Sequence, residues 1–207
     1  MIVALCNLHT IDVDSVGLGD LGYREAYLDR QLRRWTKQWE DSKTEELPVM
    51  DDVTRLLAEQ KPVPVGFAIV HGDYRRGNMI VGKGALRAVL DWELCTLGDP
   101  LADVGYLLNS WDGPEDLVEG GDGQGPVTMG GFPDRAELSA AHASGTGRDL
   151  SYINYYRAFS HWRLAAIGQG VYKRYLAGAM GTNSDFDLDR YKKSLTVRAK
   201  AALELLT

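Results

Sequence analysis

The sequence predicts a mainly helical α+β protein in which a small group of strands carries a cluster of polar side chains. Apolar residues recur at helical spacing over most of the 207 residues. Three short apolar runs near the middle of the chain have the length of strands. The composition, 44% hydrophobic and 25% charged, is that of an ordinary globular protein. We therefore expect one domain over residues 1–207.

Helices are predicted on the N-terminal side of the strands. The apolar stretch that ends at His9 is expected to be the end of a helix, and a glycine-rich connector follows it. Leucine and tryptophan residues at helical spacing predict an amphipathic helix over residues 24–41. Another helix is predicted after Asp51, and Pro62 should end it because proline cannot continue a helix.

Three strands are predicted next. Residues 67–70 form a short buried strand, and residues 79–81 and 86–90 form two more. The Gly-Lys-Gly sequence at 82–84 turns the chain between the second and third strands. These two strands should therefore form a hairpin.

The remainder of the chain is predicted to be helical around one loop. Asp99 has the character of an N-cap, with proline at the first helical position after it. Residues 112–133 are rich in glycine and are expected to be a flexible surface loop. Further helices are predicted around residues 135–143, from Asp149 onward, and over residues 191–206.

Composition excludes some classes of function. The formal charge of −6 disfavours binding to nucleic acid, which depends on neutralising phosphates. No segment approaches the roughly 18 apolar residues of a membrane-spanning helix, so no membrane association is expected. Cys6 and Cys95 have neither a metal-ligand spacing nor a disulfide framework. We expect a cytoplasmic protein.

The most informative residues are Asp73, Asn78 and Asp91, which surround the predicted hairpin. Phosphoryl transfer requires positioning and charge neutralisation rather than covalent chemistry from the protein. Asp73 follows a buried strand and is our candidate for the group that accepts or orients the proton of an attacking hydroxyl. Asn78 and Asp91 provide the oxygen ligands that Mg²⁺ prefers. The hairpin between them can bring the two together.

Two nearby charged residues extend this candidate site. Arg75, two residues after Asp73, can reach a transferred phosphate and offset its negative charge. Glu93 lies two residues beyond Asp91, on the same face if the segment is extended. It is either a further metal ligand or an exposed acid at the end of a strand.

The motif also resembles a known family. The pattern His-Gly-Asp-x-x-x-x-Asn, followed after thirteen residues by Asp, resembles the aminoglycoside phosphotransferase family, whose members are relatives of the protein kinases. The resemblance implies that His71 is a structural member of the loop and that Asp73 is the catalytic base. It implies that Asn78 and Asp91 bind Mg²⁺, with ATP as the phosphate donor. Asp103, in a second similar segment, would brace the loop.

Residues 34–39 and 90–100 are similar to one branch of that family, the kinase-like module found beside, or fused to, acyl-CoA dehydrogenases. This resemblance implies a protein-kinase-like C-terminal lobe. Family members also carry an N-terminal β lobe with a nucleotide-covering loop and a phosphate-binding lysine, which this sequence does not contain. The implied partners are that missing lobe or an acyl-CoA dehydrogenase. We accordingly expect weak nucleotide affinity and little or no turnover from this chain alone.

The acceptor and the reaction have alternatives at this stage. The resemblance implies a small hydroxylated substrate, either an aminoglycoside or a hydroxylated acyl compound. Tyr152, Tyr156 and Arg163 lie on the long helix that helps to form the acceptor pocket in such folds. A non-catalytic binding module derived from a kinase is a second hypothesis. A metal-dependent phosphohydrolase that uses Asp73 and Asp91 is a third.

Overall fold

A computed structural model describes residues 1–111, 130–180 and 186–207. These residues contain seven helices: α1 (Ile2–His9), α2 (Tyr27–Ser42), α3 (Pro48–Glu59), α4 (Leu101–Asn109), α5 (Arg135–Thr146), α6 (Ile153–Leu176) and α7 (Leu188–Glu204). They also contain four short strands: β1 (Ala68–Val70), β2 (Met79–Gly82), β3 (Ala85–Val89) and β4 (Thr96–Gly98). The mainly helical α+β prediction is confirmed.

Helix α6 is the centre of the core. Apolar residues on all of its sides are buried, including Tyr156, Phe159 and Trp162, so the helix packs against α2, α4 and α7 at once. Its crossing with α4 is close. A Cβ atom added to Gly105 of α4 would lie 2.6 Å from the backbone carbon of Tyr156. The crossing therefore requires glycine at position 105.

The strands form two separate antiparallel pairs. Strand β1 pairs with β4, and β2 pairs with β3 in a hairpin with an irregularity between Ile80 and Val81. Lys83 and Gly84 both have positive φ at the hairpin turn, where the turn types that suit twisted hairpins need such a conformation. The predicted hairpin is therefore present. The sequence analysis missed β4, which has only three residues. Strands in the described residues are confined to residues 68–98.

The boundaries of several helices differ from the prediction by a few residues. The helix predicted over 24–41 is Tyr27–Ser42, because Ala26 is in the left-handed conformation and the helix starts after it. Helix α4 begins at Leu101 with proline at its N-cap position. The Asp99 carboxylate nevertheless accepts a hydrogen bond from the Leu101 N–H at 3.0 Å, so Asp99 caps the helix by its side chain.

The predicted Gly-rich loop at 112–133 falls mostly outside the described residues, which resume at Gly130. In the described parts of the chain, each helix is either too short or too polar to cross a bilayer.

Candidate active site

The polar loop, residues 71–78, connects the buried strand β1 to β2 and ends in a single turn of 3-10 helix at Arg76–Asn78. Gly72 has a φ of +85°, and a Cβ atom there would lie 2.8 Å from the Cβ and the carbonyl oxygen of Leu94. Both observations require glycine at this position. The loop is therefore pressed against the segment that leads into β4.

Asp103 fixes the backbone of the polar loop. Its carboxylate accepts the His71 N–H at 2.7 Å through one oxygen and the Gly72 N–H at 2.8 Å through the other. Asp103 lies in the first turn of α4 and is 1% exposed. Hydrogen bonds to a charged acceptor are about twice as strong as neutral ones. This geometry supports the bracing role that the family resemblance implies for Asp103.

His71 ties the same loop to the end of the hairpin. Its Nδ1 accepts the Asp73 N–H at 3.1 Å, so the hydrogen must be on Nε2, which lies 2.9 Å from the carbonyl oxygen of Leu90. The imidazole is buried and packs 4.6 Å from the Trp92 ring. Both nitrogens are thus occupied by the backbone, which suits a structural residue rather than a catalytic base.

The Asp73 carboxylate is held from several sides but remains accessible, with 18% of its side chain exposed. The Asn78 side-chain amide donates to Asp73 Oδ2 at 2.7 Å and to the Asp73 carbonyl at 2.9 Å. Arg75 Nε lies 3.2 and 3.3 Å from the two carboxylate oxygens. Burial, and secondly the Asp73 carboxylate beside its hydroxyl, raise the pKa of Tyr106, which therefore stays protonated. The sequence analysis did not identify Tyr106.

The hairpin brings Asp91 close to Asn78. The Leu90 N–H donates to the Asn78 carbonyl at 2.8 Å, so Asp91 is the first residue beyond the pair that closes the hairpin. Asp91 is exposed and has a φ of +67°, which turns the chain away from β3. The Asn78 amide nitrogen is committed to Asp73, and this leaves its oxygen as the group that can face a cation.

These oxygen donors fit Mg²⁺, which is usually bound by one or two carboxylates together with substrate phosphates and waters. In residues 1–111, 130–180 and 186–207, no group of three or more His, Cys, Asp or Glu side chains is arranged to hold a metal ion without other help. A site made by Asn78 and Asp91 therefore depends on phosphate or water oxygens to complete the coordination. The metal roles of these residues and of Glu93 stay predictions.

A groove of about 360 Å³ lies between α2 and the segment after Asp91. Its lining includes Arg30, Arg34, Glu93 and Leu94. Leu94 is the residue against which Gly72 packs, so the groove adjoins the polar loop. Glu93 is exposed and is placed with the two arginines of α2.

Two of the three predicted substrate-binding residues have protein partners instead. Tyr156 is fully buried, and its hydroxyl donates to Asp99 Oδ2 at 2.7 Å. Arg163 is 5% exposed, donates to the Gly72 carbonyl and lies over the Tyr106 ring at 5.2 Å. These contacts tie Tyr156 to Asp99 and Arg163 to the polar loop, and the substrate-binding role of both residues stays a prediction. Tyr152 is 56% exposed, and its substrate contact stays a prediction.

A buried strand leading into an Asp-x-x-x-x-Asn loop, a hairpin that ends at a second aspartate and a surrounding set of helices define a kinase-like phosphotransferase fold. The chain belongs to the phosphotransferase enzyme family, whose model matches residues 1–140. This confirms the family that the sequence motif resembles.

Comparison with solved structures agrees. A crystal structure of a protein from Ralstonia eutropha, described as an aminoglycoside phosphotransferase, superposes with a TM-score of 0.83 at 35% identity. The match covers 99% of this chain and 63% of that one.

Relatives of known sequence point to the branch expected from residues 34–39 and 90–100. Acyl-CoA dehydrogenase family member 10 of Mus musculus is 38% identical over 178 residues, which are 84% of this chain and 17% of that protein. Acyl-CoA dehydrogenase family member 11 of Rattus norvegicus is 34% identical over 210 residues, 99% of this chain and 27% of that protein. The chain thus spans about a quarter or less of these relatives.

Proposed function

We propose that this chain provides the catalytic lobe of an ATP- and Mg²⁺-dependent kinase that phosphorylates a hydroxyl group of a small molecule. The observation that carries this proposal is the arrangement of Asp73, Asn78 and Asp91. Asn78 holds the Asp73 carboxylate by a 2.7 Å hydrogen bond, and the hairpin closes so that Asp91 follows directly. We take Asp73 as the proton acceptor, and Asn78 and Asp91 as the two oxygen ligands at this end of the hairpin.

In the proposed reaction, Asp73 accepts a hydrogen bond from the acceptor hydroxyl and takes its proton. The hydroxyl oxygen forms a bond to the γ-phosphorus of ATP while the bond to the bridging oxygen breaks, and ADP leaves. Asn78 and Asp91 would hold Mg²⁺, which neutralises charge on the phosphates when it is bound. The Asn78 amide keeps the Asp73 carboxylate oriented. The exposed part of the Asp73 carboxylate is left for the substrate.

Arg75 has two uses in this proposal. In the structure, its Nε pairs with Asp73 at 3.2 Å. Its side chain is 45% exposed, and solvent-exposed ion pairs of this kind contribute about 1 kcal/mol or less. A phosphate can therefore draw the guanidinium away from Asp73 at small cost. That exchange would both stabilise the transferred group and free the carboxylate to accept a proton.

We infer that the groove beside the polar loop selects between the two acceptor classes considered from the sequence. Its lining includes two basic residues, Arg30 and Arg34, and one acidic residue, Glu93. Close cations act on a ligand more strongly than a diffuse negative charge on the rest of the surface, because salt screens charges beyond about 10 Å. We therefore propose that the acceptor is an anionic hydroxylated compound, such as a hydroxylated acyl derivative, and not a polycationic aminoglycoside.

Metal binding tests the site without depending on turnover. Mn²⁺ can replace Mg²⁺ as a paramagnetic probe, and NMR signals of residues near it broaden. We expect Mn²⁺ with ATP to broaden the Asn78 side-chain amide signals. In Asp91→Asn, at least ten times more Mn²⁺ should be needed to give the same broadening. Asp51→Asn removes an exposed aspartate on α3 and is the matched control. Equal broadening in the Asp91 variant and the control would contradict the proposed metal site.

The acceptor class is tested by formation of ADP from ATP in the presence of candidate alcohols. Anionic hydroxy compounds are expected to stimulate ADP formation and aminoglycosides are not. Arg34→Gln should raise the KM for the acceptor, whereas Arg33→Gln, an exposed neighbour that does not line the groove, should not. The assay is best made on the 207-residue chain and on a longer protein that contains it. Stimulation by aminoglycosides alone would show that the groove does not select the acceptor.

A further inference from the structure

A series of hydrogen-bonded, buried polar side chains leads from α5 through α1 to Asp103, and Asp103 connects it to the polar loop. His142 of α5 has its Nε2 2.9 Å from Nδ1 of His9, which is the last residue of α1. His9 Nε2 lies 3.4 Å from Asp103 Oδ2. All three residues are at most 1% exposed. The rings of the two histidines meet edge to face at 5.2 Å.

The chemistry of the carboxylate fixes the direction of the hydrogen bond between His9 and Asp103. A carboxylate only accepts, so His9 Nε2 carries the hydrogen that points to Asp103. Burial, followed by the influence of His9, lowers the pKa of His142 to about 4, so His142 is neutral at pH 7. The His142 Nε2 is occupied by His9 Nδ1, so Nδ1 is the ring nitrogen of His142 that needs another partner. That Nδ1 is buried and has no hydrogen-bond partner among residues 1–111, 130–180 and 186–207.

A buried polar atom without a partner is destabilising, and two apolar side chains of similar size would avoid that cost. Polar groups that are only partly satisfied call for an explanation other than stability. The place where the chain of hydrogen bonds ends supplies one, since Asp103 holds the two amides immediately before Asp73.

We propose that His9 and His142 are positioning residues for the reaction: they orient the Asp103 carboxylate, which in turn sets the position of Asp73. The functional part of this inference rests on the proposed kinase activity. Asp103 Oδ2 serves both the His71 N–H and His9, so the imidazole limits rotation of the carboxylate. Displacing a reacting group by about 1 Å can reduce a rate about 100-fold, so such a limit matters for catalysis.

Other contacts of the described residues hold this part of the loop through different atoms. The Gly72 carbonyl accepts from Arg163, and the Asp73 N–H is bound to the His71 ring. The Asp103 carboxylate supplies both bonds to the His71 and Gly72 amides. Hydrogen exchange at these two amides therefore reports directly on whether Asp103 is held in place.

The experiment measures hydrogen exchange by NMR in the 207-residue chain, relative to the amides of the buried residues Val53 and Leu57 of α3. His9→Leu should increase the relative exchange rate at His71 and Gly72 by at least tenfold. His9→Gln should restore most of the protection, because the glutamine amide can donate to Asp103. Gln169→Leu is the matched control, since Gln169 is 6% exposed and its bonds go to Ser42 and Thr44, away from the loop.

The inference is overturned if the relative exchange in His9→Leu rises no more than in the control, or if His9→Gln behaves as His9→Leu. If His9→Leu does not fold, His142→Leu gives the same decision, because it removes the hydrogen bond to His9 Nδ1 and leaves His9 in place. Its expected increase is about threefold, and an increase equal to the control overturns the inference. Hydrogen exchange is measured without nucleotide or metal. A negative result would therefore overturn the positioning role of His9 and His142 without deciding whether Asn78 and Asp91 bind Mg²⁺. In a turnover assay of His9→Leu, kcat should fall while the KM for the nucleotide stays unchanged.

Discussion

The stability of this protein should fall in mild acid because of His142. Its pKa is lowered from 6.5 to about 4 by burial and by His9. As the pH falls, the unfolded state binds a proton at this residue before the folded state does. The contribution of neutral His142 to the free energy of unfolding is therefore fully present above pH 6.5. It is lost as the pH falls toward 4.

The magnitude follows from the two pKa values. A shift of one pKa unit corresponds to about 1.4 kcal/mol, so a shift from 6.5 to about 4 gives a limit of about 3 kcal/mol below pH 4. Between pH 7 and pH 5, the same values give a loss of about 2 kcal/mol in the free energy of unfolding. His142 is fully buried, so solvent does not screen this effect.

Urea denaturation of the wild type and of His142→Gln at pH 7, 6 and 5 measures the loss. Glutamine does not titrate, so the wild type should lose about 2 kcal/mol more than the variant between pH 7 and 5. Gln169→Leu keeps His142 and should follow the wild-type pH dependence, even though it is less stable at every pH. Equal losses in the wild type and in His142→Gln would refute the reasoning.

Three other substitutions have expected outcomes. Gly105→Ala forces a Cβ atom to within 2.6 Å of the Tyr156 backbone, and urea denaturation should show a loss of about 1–3 kcal/mol. Asp103→Asn replaces one acceptor oxygen with a donor that faces a backbone N–H, and the same measurement should show a loss of about 1–3 kcal/mol. Tyr106→Phe removes the hydroxyl that is hydrogen-bonded to Asp73. ADP formation should fall, while the free energy of unfolding stays within about 1 kcal/mol of the wild type.

The sequence predicted well those features that depend on neighbouring residues. The hairpin between Asn78 and Asp91 follows from two apolar runs and a glycine turn, all within fifteen residues, and its closure pairs the backbone of Leu90 with that of Asn78. The family motif has the same local character. Such features need no knowledge of how distant segments pack.

Contacts between distant segments were not predictable in the same way. Arg163 was expected to face the substrate because of its helix, but it reaches the carbonyl of Gly72, 91 positions earlier in the chain. His9 and His142 are separated by 133 positions, and nothing in the spacing of either residue indicates the other. Strand β4 was missed for a related reason, since three residues form a strand there only because β1 lies beside them.

The sequence of helix α4 nevertheless contains a pattern that could have identified some of the residues that hold the polar loop in place. Residues Leu101–Leu108 are all buried, so a polar side chain among them must find a partner in the interior. Asp99, Asp103 and Tyr106 are spaced by four and three residues, which places them along one side of the helix and its cap. Each has a different partner: Tyr156 for Asp99, the polar loop backbone for Asp103, and Asp73 for Tyr106. A polar stripe on a fully buried helix that directly follows a catalytic motif therefore predicts which residues hold that motif in place.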